Sequence, residues 1–407
     1  MANRPRKQFF ILVGLIILVF LGGTGIWFWI HPATHSVTRQ TAVRTWHGIA
    51  HDAHVSAQQR HSTKTQFDRE TTSQTAPKLA TKVTQQLKAK HFVGTALVVK
   101  NNRVVYQRAF GWANREQHRK NTTTTPYLIN STQKALTGQL IMRAVQDDQL
   151  SLNDHLSQYY PKIKHSRTIT IRQMLNMTAG IYGTVPQSRY LSERAVYHQA
   201  ATHAKIDTTK IGQFDYQPID YTLLAGILHQ VTHQSYYQRF YQQIVTPLNL
   251  NHTKFAEVFR HSRTMTVSYT GSRPGLYQTP HIPAAAPLAT RVGTGNVMMS
   301  AGDLFRAERA VIQGKLLLNS SGAQTLHQAK STTAHYTGGL YHLGQSGYYG
   351  HGLRDNYEAT FVLSRNGKTG VVFLSNSFTK ATMWPTWSTE KTAISLFKQV
   401  DQAQHLN

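Results

Sequence analysis

The sequence predicts an α/β (α+β) fold: one mixed, antiparallel sheet flanked by helices, an inserted helical subdomain, and one transmembrane helix in front. Three observations carry this. Strand hairpins stand near both ends of the globular region, helical periodicity fills the middle, and an uncharged apolar run opens the chain.

The opening run, Phe9 to Ile30 (FFILVGLIILVFLGGTGIWFWI), is long enough to cross a hydrocarbon core about 30 Å thick at about 1.5 Å per residue. Arg4, Arg6 and Lys7 precede it, which favours a cytoplasmic N-terminus and an exported remainder. Trp27 and Trp29 mark its outer end. The rival reading is a cleaved signal peptide, but the run is long for that and no clear A-x-A site follows. The expected location is the cell membrane, single-pass, with the C-terminal domain extracellular. Residues 31–77 are polar and lack sustained apolar periodicity, as a tether would. His47, His51 and His54 fall there at helical spacing and would share a face, although chance is the simpler explanation in a chain with 22 His.

The expected globular domain covers residues 78–407. Leu79, Val83 and Leu87 mark an amphipathic helix. GTALVVKNNRVVYQRAFG then reads as two strands around a turn at Asn101-Asn102. From about 131 to 260 the pattern is helical: Leu136, Leu140, Ile141, Ala144 and Val145 share one face, and Tyr221 to Val231 reads as a buried helix. Strands return at Tyr357–Ser364 and Val371–Leu374 around Asn366-Gly367, and a closing helix presents Ala393, Ile394, Phe397 and Val400.

Composition narrows the chemistry. The chain of 407 residues carries 44 Lys plus Arg against 18 Asp plus Glu, a formal charge of +26, so anionic partners are expected. Export makes nucleic acid an unsuitable partner and anionic envelope polymers suitable ones. There is no Cys, which excludes disulfides, thiol catalysis and Cys-based metal sites. No H-E-x-x-H and no G-x-S-x-G occurs, so neither a zinc hydrolase nor a lipase is supported.

S-x-x-K is a spacing with chemical content, because residues three apart on a helix share a face. A Ser in the first turn would have the Lys close enough to hold or take its proton, and the helix dipole would favour a developing oxyanion. An ordinary Lys, with pKa about 10.4, is a poor base at neutral pH, so burial or a nearby cation would have to lower that value. The pattern occurs at Ser131-Lys134, Ser377-Lys380, Ser388-Lys391 and Ser395-Lys398. Only Ser131 opens a long amphipathic helix at the start of the helical region.

Around Ser131 the chain resembles a known family. PYLINSTQKALTGQLIMRAVQDDQLSLNDHLSQYYP followed by ITIRQMLNMTAGI is similar to the nucleophile region of class C β-lactamases, DD-peptidases and related esterases, the serine β-lactamase and penicillin-binding-protein family. GTALVVKNNRVVYQRAFGWA, YTLLAGILHQVTHQSYYQRFYQQIVTPLNLNHTKF and GNVMMSAGDLFRAERAVIQGKLL resemble other segments of the family in the same order, over roughly 78 to 400. The resemblance implies a β-lactamase/transpeptidase-like fold, an acyl-Ser131 intermediate and no cofactor or metal.

It also implies a second motif, Tyr-x-Asn, at FDYQPIDYTLLAGIL. Tyr216 takes the Tyr position, as a phenolate base stabilised by Lys134. Pro218 replaces the Asn and removes its amide, with Asp220 and Gln217 as candidates to compensate. The third motif, Lys-Thr-Gly or His-x-Gly, is matched at YGHGLRDNYEATF. His351 takes the cationic position, Gly352 the middle one, and Leu353 replaces the usual Gly. The N–H two or three residues after His351 would join that of Ser131 in an oxyanion hole. Arg354 is a candidate to grip an anionic part of the substrate or a solvated surface residue. The literal Lys368-Thr369-Gly370 comes too late in the order and reads as a decoy.

The expectation is therefore a serine acyl hydrolase acting on D-alanyl esters or amides of the cell envelope. The altered motifs argue against an efficient β-lactamase, and an ester needs less help with its leaving group than an amide. The alternative is a weakened relative that binds cell-wall polymer or regulates other envelope enzymes. Nothing in the sequence bears on oligomeric state.

Overall fold

The computed structural model describes residues 64–72, 76–271, 275–329, 335–377 and 388–403. The apolar run at 9–30, the His47-His51-His54 group and most of the polar stretch lie outside the described residues. Among those described, no helix is long and apolar enough to cross a membrane.

The main sheet has seven strands: β1 Gly94–Lys100, β2 Arg103–Phe110, β3 Tyr336–Thr337, β4 Leu340–Leu343, β5 Gly347–Arg354, β6 Tyr357–Ser364 and β7 Gly370–Ser375. Their order is β3-β4-β5-β6-β7-β1-β2, and each pairing is antiparallel. Strands from the two ends of the domain meet at the β1–β7 junction, where Gly94 lies opposite Ser375. The β1–β2 hairpin turns at Asn101 (φ 50°) and Asn102 (φ 66°), the left-handed pair that a two-residue turn requires.

Alternation along the strands gives the sheet two apolar faces. One carries Ala96, Val98, Val362, Val371 and Phe373, covered by α1 (Pro77–Ala89) and the closing helix, whose Ala393, Phe397 and Val400 point inward. The other carries Leu97, Val99, Phe361, Leu363 and Leu374, against the helical subdomain. That subdomain includes α2 (Gln133–Gln146), α3 (Glu193–His203), α4 (Pro218–Thr232) and α5 (Ala301–Gln313); the closing helix is α6 (Thr389–Gln402). In α4 every residue from Ile219 to Leu228 is buried, which accounts for its lack of a polar face. Each fully buried Leu or Phe in these layers stabilises the fold by about 1.5–3 kcal/mol.

One expectation needs correction. The stretch 31–77 reads as a tether, yet residues 64–72 are packed on the domain. Phe67 is buried, its ring lies tilted at 5.6 Å from that of Phe305, and its carbonyl accepts from Gln107 Nε2 at 2.8 Å. Thr65 caps the turn Gln66–Asp68 in a reciprocal capping box. A single aromatic in a polar stretch leaves no periodic signal.

Candidate active site

Ser131 stands on a short 3-10 turn, Asn130–Thr132, that runs directly into α2. It therefore occupies the first turn of a helix, where backbone N–H groups lack intrahelical partners. Lys134, three residues on, is fully buried and its Nζ donates to Ser131 Oγ at 2.8 Å. The same ammonium donates to the Thr294 carbonyl at 3.4 Å.

The Lys134 Nζ also lies 5.1 Å from the centroid of the Tyr216 ring. The structure thus brings Ser131, Lys134 and Tyr216 together, from α2 and from the segment leading into α4. Tyr216 is held by other aromatics, with Tyr336 edge-on at 6.1 Å and Tyr341 stacked at 6.5 Å, and Tyr349 stacks behind Tyr341 at 5.0 Å. Pro218 is the first residue of α4, where a missing N–H costs the helix nothing. Gln217 does not replace the lost amide: its Nε2 donates to Asp215 Oδ1 at 3.2 Å. Asp220 is buried, and that burial, aided by the Asp215 charge, pushes its carboxyl well above the usual range.

Gly352 meets the nucleophile turn directly. A Cβ built on it would lie 2.7 Å from Ser131 N and 2.5 Å from the Ile129 carbonyl oxygen, so only glycine allows this approach. Strand β4 pairs only with Gly347–Tyr349 of β5, so Gly350–Arg354 has no strand on that edge among the described residues. Alternate N–H groups of that segment therefore have no ladder partner there.

His351 is not where the motif places it. Its neighbour Gly352 turns toward Ser131, so the His351 side chain lies on the opposite face of β5. It pairs there with Glu358 at 2.9 Å and with Glu390 of α6 at 3.4 Å. Burial opposes its charge, but the Glu358 hydrogen bond and the charges of Glu358 and Glu390 outweigh burial and raise its pKa above the ordinary value. No cationic His faces Ser131 from this strand; His351 instead ties β5 to α6. Leu353 shares that opposite face by alternation, so its side chain does not crowd Ser131. Arg354 donates to Gln187 Oε1 at 3.1 Å.

Two supporting residues have no signal in the sequence. Asn130 adopts a left-handed conformation (φ 49°), and its Nδ2 donates at 3.3 Å to the carbonyls of Arg354 and Tyr357, fixing the Ser131 turn to β5 and β6. Gln133 Oε1 accepts from Asn296 N at 2.7 Å and Val297 N at 3.0 Å, and Asn296 Nδ2 donates to the buried Glu257 at 2.7 Å. Burial pushes the Glu257 carboxyl up to about 7, with the Asn296 bond opposing. No local sequence pattern marks them because these partners come from distant segments. The other S-x-x-K sites are structural where described. Ser388 caps α6 and accepts from Lys391 N at 3.3 Å, Ser395 and Lys398 are exposed on α6, and Lys380 lies outside the described residues. Lys368 is exposed in the β6–β7 turn, away from the nucleophile helix in the sheet order.

Known proteins share the family and the fold of this chain. The Beta-lactamase family profile matches residues 79–392. A protein called penicillin-binding protein PbpX, of Bacillus subtilis, is 28% identical over 297 residues, covering 72% of this chain and 73% of its own. The teichoic acid D-alanine hydrolase of Staphylococcus aureus is 26% identical over 307 residues, covering 71% and 75%. Among solved structures, FmtA from Staphylococcus aureus superposes with a TM-score of 0.71 at 21% identity, over 88% of this chain and 95% of that one. The D-amino acid amidase of Ochrobactrum anthropi does so with a TM-score of 0.63 at 15% identity, over 77% and 95%. These structural likenesses concern the fold.

Proposed function

The chain belongs to the Beta-lactamase family of serine hydrolases, and we propose that it is a membrane-anchored, outward-facing acyl hydrolase with D-alanyl esters or amides of the cell envelope as substrates. The observation that carries this reading is the 2.8 Å hydrogen bond from Lys134 Nζ to Ser131 Oγ in the first turn of α2. Ser131 Oγ attacks the acyl carbon, and its proton passes into the Lys134–Tyr216 pair. The oxyanion is received by the Ser131 N–H and the N–H of Leu353, which directly follows Gly352 on the open edge of β5. Collapse expels the alcohol or amine, which takes the proton, and water then cleaves the acyl-Ser131 ester.

Pro218 weighs toward esters. Losing one oriented polar contact in such a site costs on the order of 10² to 10³ in rate. An alkoxide leaves more readily than an amine, so an ester tolerates that loss better. The substrate named for the Staphylococcus aureus relative is of this kind. The same Pro218 supports a second reading, a weakened relative that binds wall polymer.

D-Alanine released from D-alanylated poly(glycerol phosphate) and from a D-Ala-D-Ala peptide separates the readings. Release from the ester, abolished in Ser131→Ala, supports the hydrolase; no release from either substrate contradicts it. The anchor at 9–30 is tested by alkaline carbonate extraction, which leaves a spanning chain in the membrane pellet and would release an unanchored one.

A further inference from the structure

Helices α3 and α4 pack side by side, and a cleft of about 380 Å³ opens between them. Arg194 and His198 project from α3, four residues apart and so on one face. His229 and Gln230 project from α4, and His233 from its C-terminal end. Gly226 lets the floor close: a Cβ there would lie 2.1 Å from the Tyr160 hydroxyl. His229 Nδ1 lies 2.8 Å from the Gln234 carbonyl. A carbonyl only accepts, so Nδ1 carries the hydrogen, and Nε2 accepts in the neutral ring and donates only when the ring is protonated.

The chemistry of this lining is one-sided. A guanidinium, three imidazoles and an amide face the cleft, and among the described residues no carboxylate lines it. The acid beside it, Glu193, is engaged: one of its oxygens accepts from the Tyr197 hydroxyl at 2.8 Å and from Tyr236 N at 2.7 Å. No group of three His, Asp or Glu among the described residues is arranged to hold a metal. Arg194 and Gln230 on separate helices, joined by the imidazoles when these are protonated, fit an anion with repeated charges better than a single small one. Arginine favours phosphate oxygens, which it meets through paired N–H groups.

Position adds a second argument. α4 begins two residues after Tyr216, and Gly226 and His233 follow Tyr216 by 10 and 17 residues. At about 1.5 Å per residue they lie roughly 15 and 25 Å along the helix from the Tyr216 end. A flexible polymer can occupy both places at once.

We propose that the α3–α4 cleft is a docking subsite for a phosphodiester polyanion, holding the polymer backbone while one of its acyl esters lies at Ser131. This rests on the reading of the substrate as an ester carried by an anionic polymer. Docking raises the local concentration of esters at Ser131 and distinguishes polymeric from small substrates.

The test uses the full chain in detergent, on a Ser131→Ala background, with fluorescent poly(glycerol phosphate) and anisotropy readout. Arg194→Glu raises Kd tenfold or more. Lys315→Glu, an equal charge change at an exposed residue after α5, changes it less than threefold. In the Ser131-containing chain, Arg194→Glu raises KM for D-alanylated polymer and leaves kcat/KM for a small D-alanyl ester unchanged. Equal weakening by the two substitutions, or none by either, overturns the proposal. So does an Arg194→Glu effect confined to phosphatidylglycerol vesicles, which would make the cleft a lipid surface. Binding is read without turnover, so failure of the esterase reading does not disturb it.

Discussion

Gly352 approaches Ser131 so closely that a methyl group on its Cα would stand 2.7 Å from the Ser131 backbone nitrogen. This contact joins the nucleophile turn to the open edge of β5, and in the proposed mechanism it sets the spacing between the two N–H groups that would receive an oxyanion. Gly352→Ala must push β5 and the turn apart. Overpacking of this kind costs about 1–3 kcal/mol. The labelling rate of Ser131 by a fluorophosphonate falls about 100-fold, while circular dichroism shows a folded protein with a lowered melting temperature. An unchanged labelling rate would remove Gly352 from the site.

Lys134 is fully buried, and its ammonium contacts Ser131, the Thr294 carbonyl and the Tyr216 ring. Among the described residues Lys134 has no carboxylate partner, so an apolar chain of similar volume removes the cost of a buried unpaired charge, which offsets the hydrogen bonds it loses. Lys134→Met therefore keeps the melting temperature within a few degrees, and acylation falls by about 10³ or more. Stopped-flow labelling with a fluorescent penicillin or fluorophosphonate, beside a melting curve, checks both halves.

Pro218 starts α4 at a position where Asn is also compatible with a helix, since the first N–H there needs no intrahelical partner. Pro218→Asn supplies the missing amide. Acylation by penicillins and by D-Ala-D-Ala peptides rises about tenfold or more, with a smaller gain for D-alanyl esters. A comparison of acylation rate constants for the three substrate types decides whether Pro218 sets the ester preference.

The raised pKa of His351 has a defined sign. The folded state holds the proton more tightly than the unfolded chain, through Glu358 and Glu390 and against the effect of burial. The stabilisation is complete below the unfolded value of about 6.5 and is lost as pH rises through the higher folded value. His351→Gln consequently destabilises more at about pH 5.5 than at about pH 9. Burial pushes His327 down to about 4, which acts in the opposite sense below pH 6.5, but it is common to both proteins and cancels in the difference. Urea unfolding at the two pH values measures this. An equal loss at both would show that the pair with Glu358 and Glu390 carries no net charge coupling.

The fold was legible where local chemistry dictates it. Asn101-Asn102 takes the paired left-handed turn, and the spacing of Val83 and Leu87, or of Ala393, Phe397 and Val400, places the covering helices. The S-x-x-K spacing likewise puts Lys134 on Ser131 because a helix repeat does so automatically. The assignment of His351 failed for a physical reason. Strand side chains alternate, so a one-residue shift moves a side chain to the other face. Gly350-His351-Gly352 offers two glycines, and only the packing of β5 against Ser131 selects Gly352 as the contact. Asn130 and the Gln133–Asn296–Glu257 chain leave no local signal because their partners lie 39 to 227 residues away in the sequence, and the left-handed conformation of Asn130 is encoded by no pattern.

The central claim is that Ser131 is an activated nucleophile. Intact mass spectrometry of the full chain, after incubation with a fluorophosphonate and separately with a fluorescent penicillin, tests it with Ser131→Ala run alongside. The account predicts one fluorophosphonate adduct, absent in Ser131→Ala, with a penicillin adduct indicating recognition of D-alanyl groups. No adduct with either probe would contradict the account and leave a protein that binds wall polymer without turning it over.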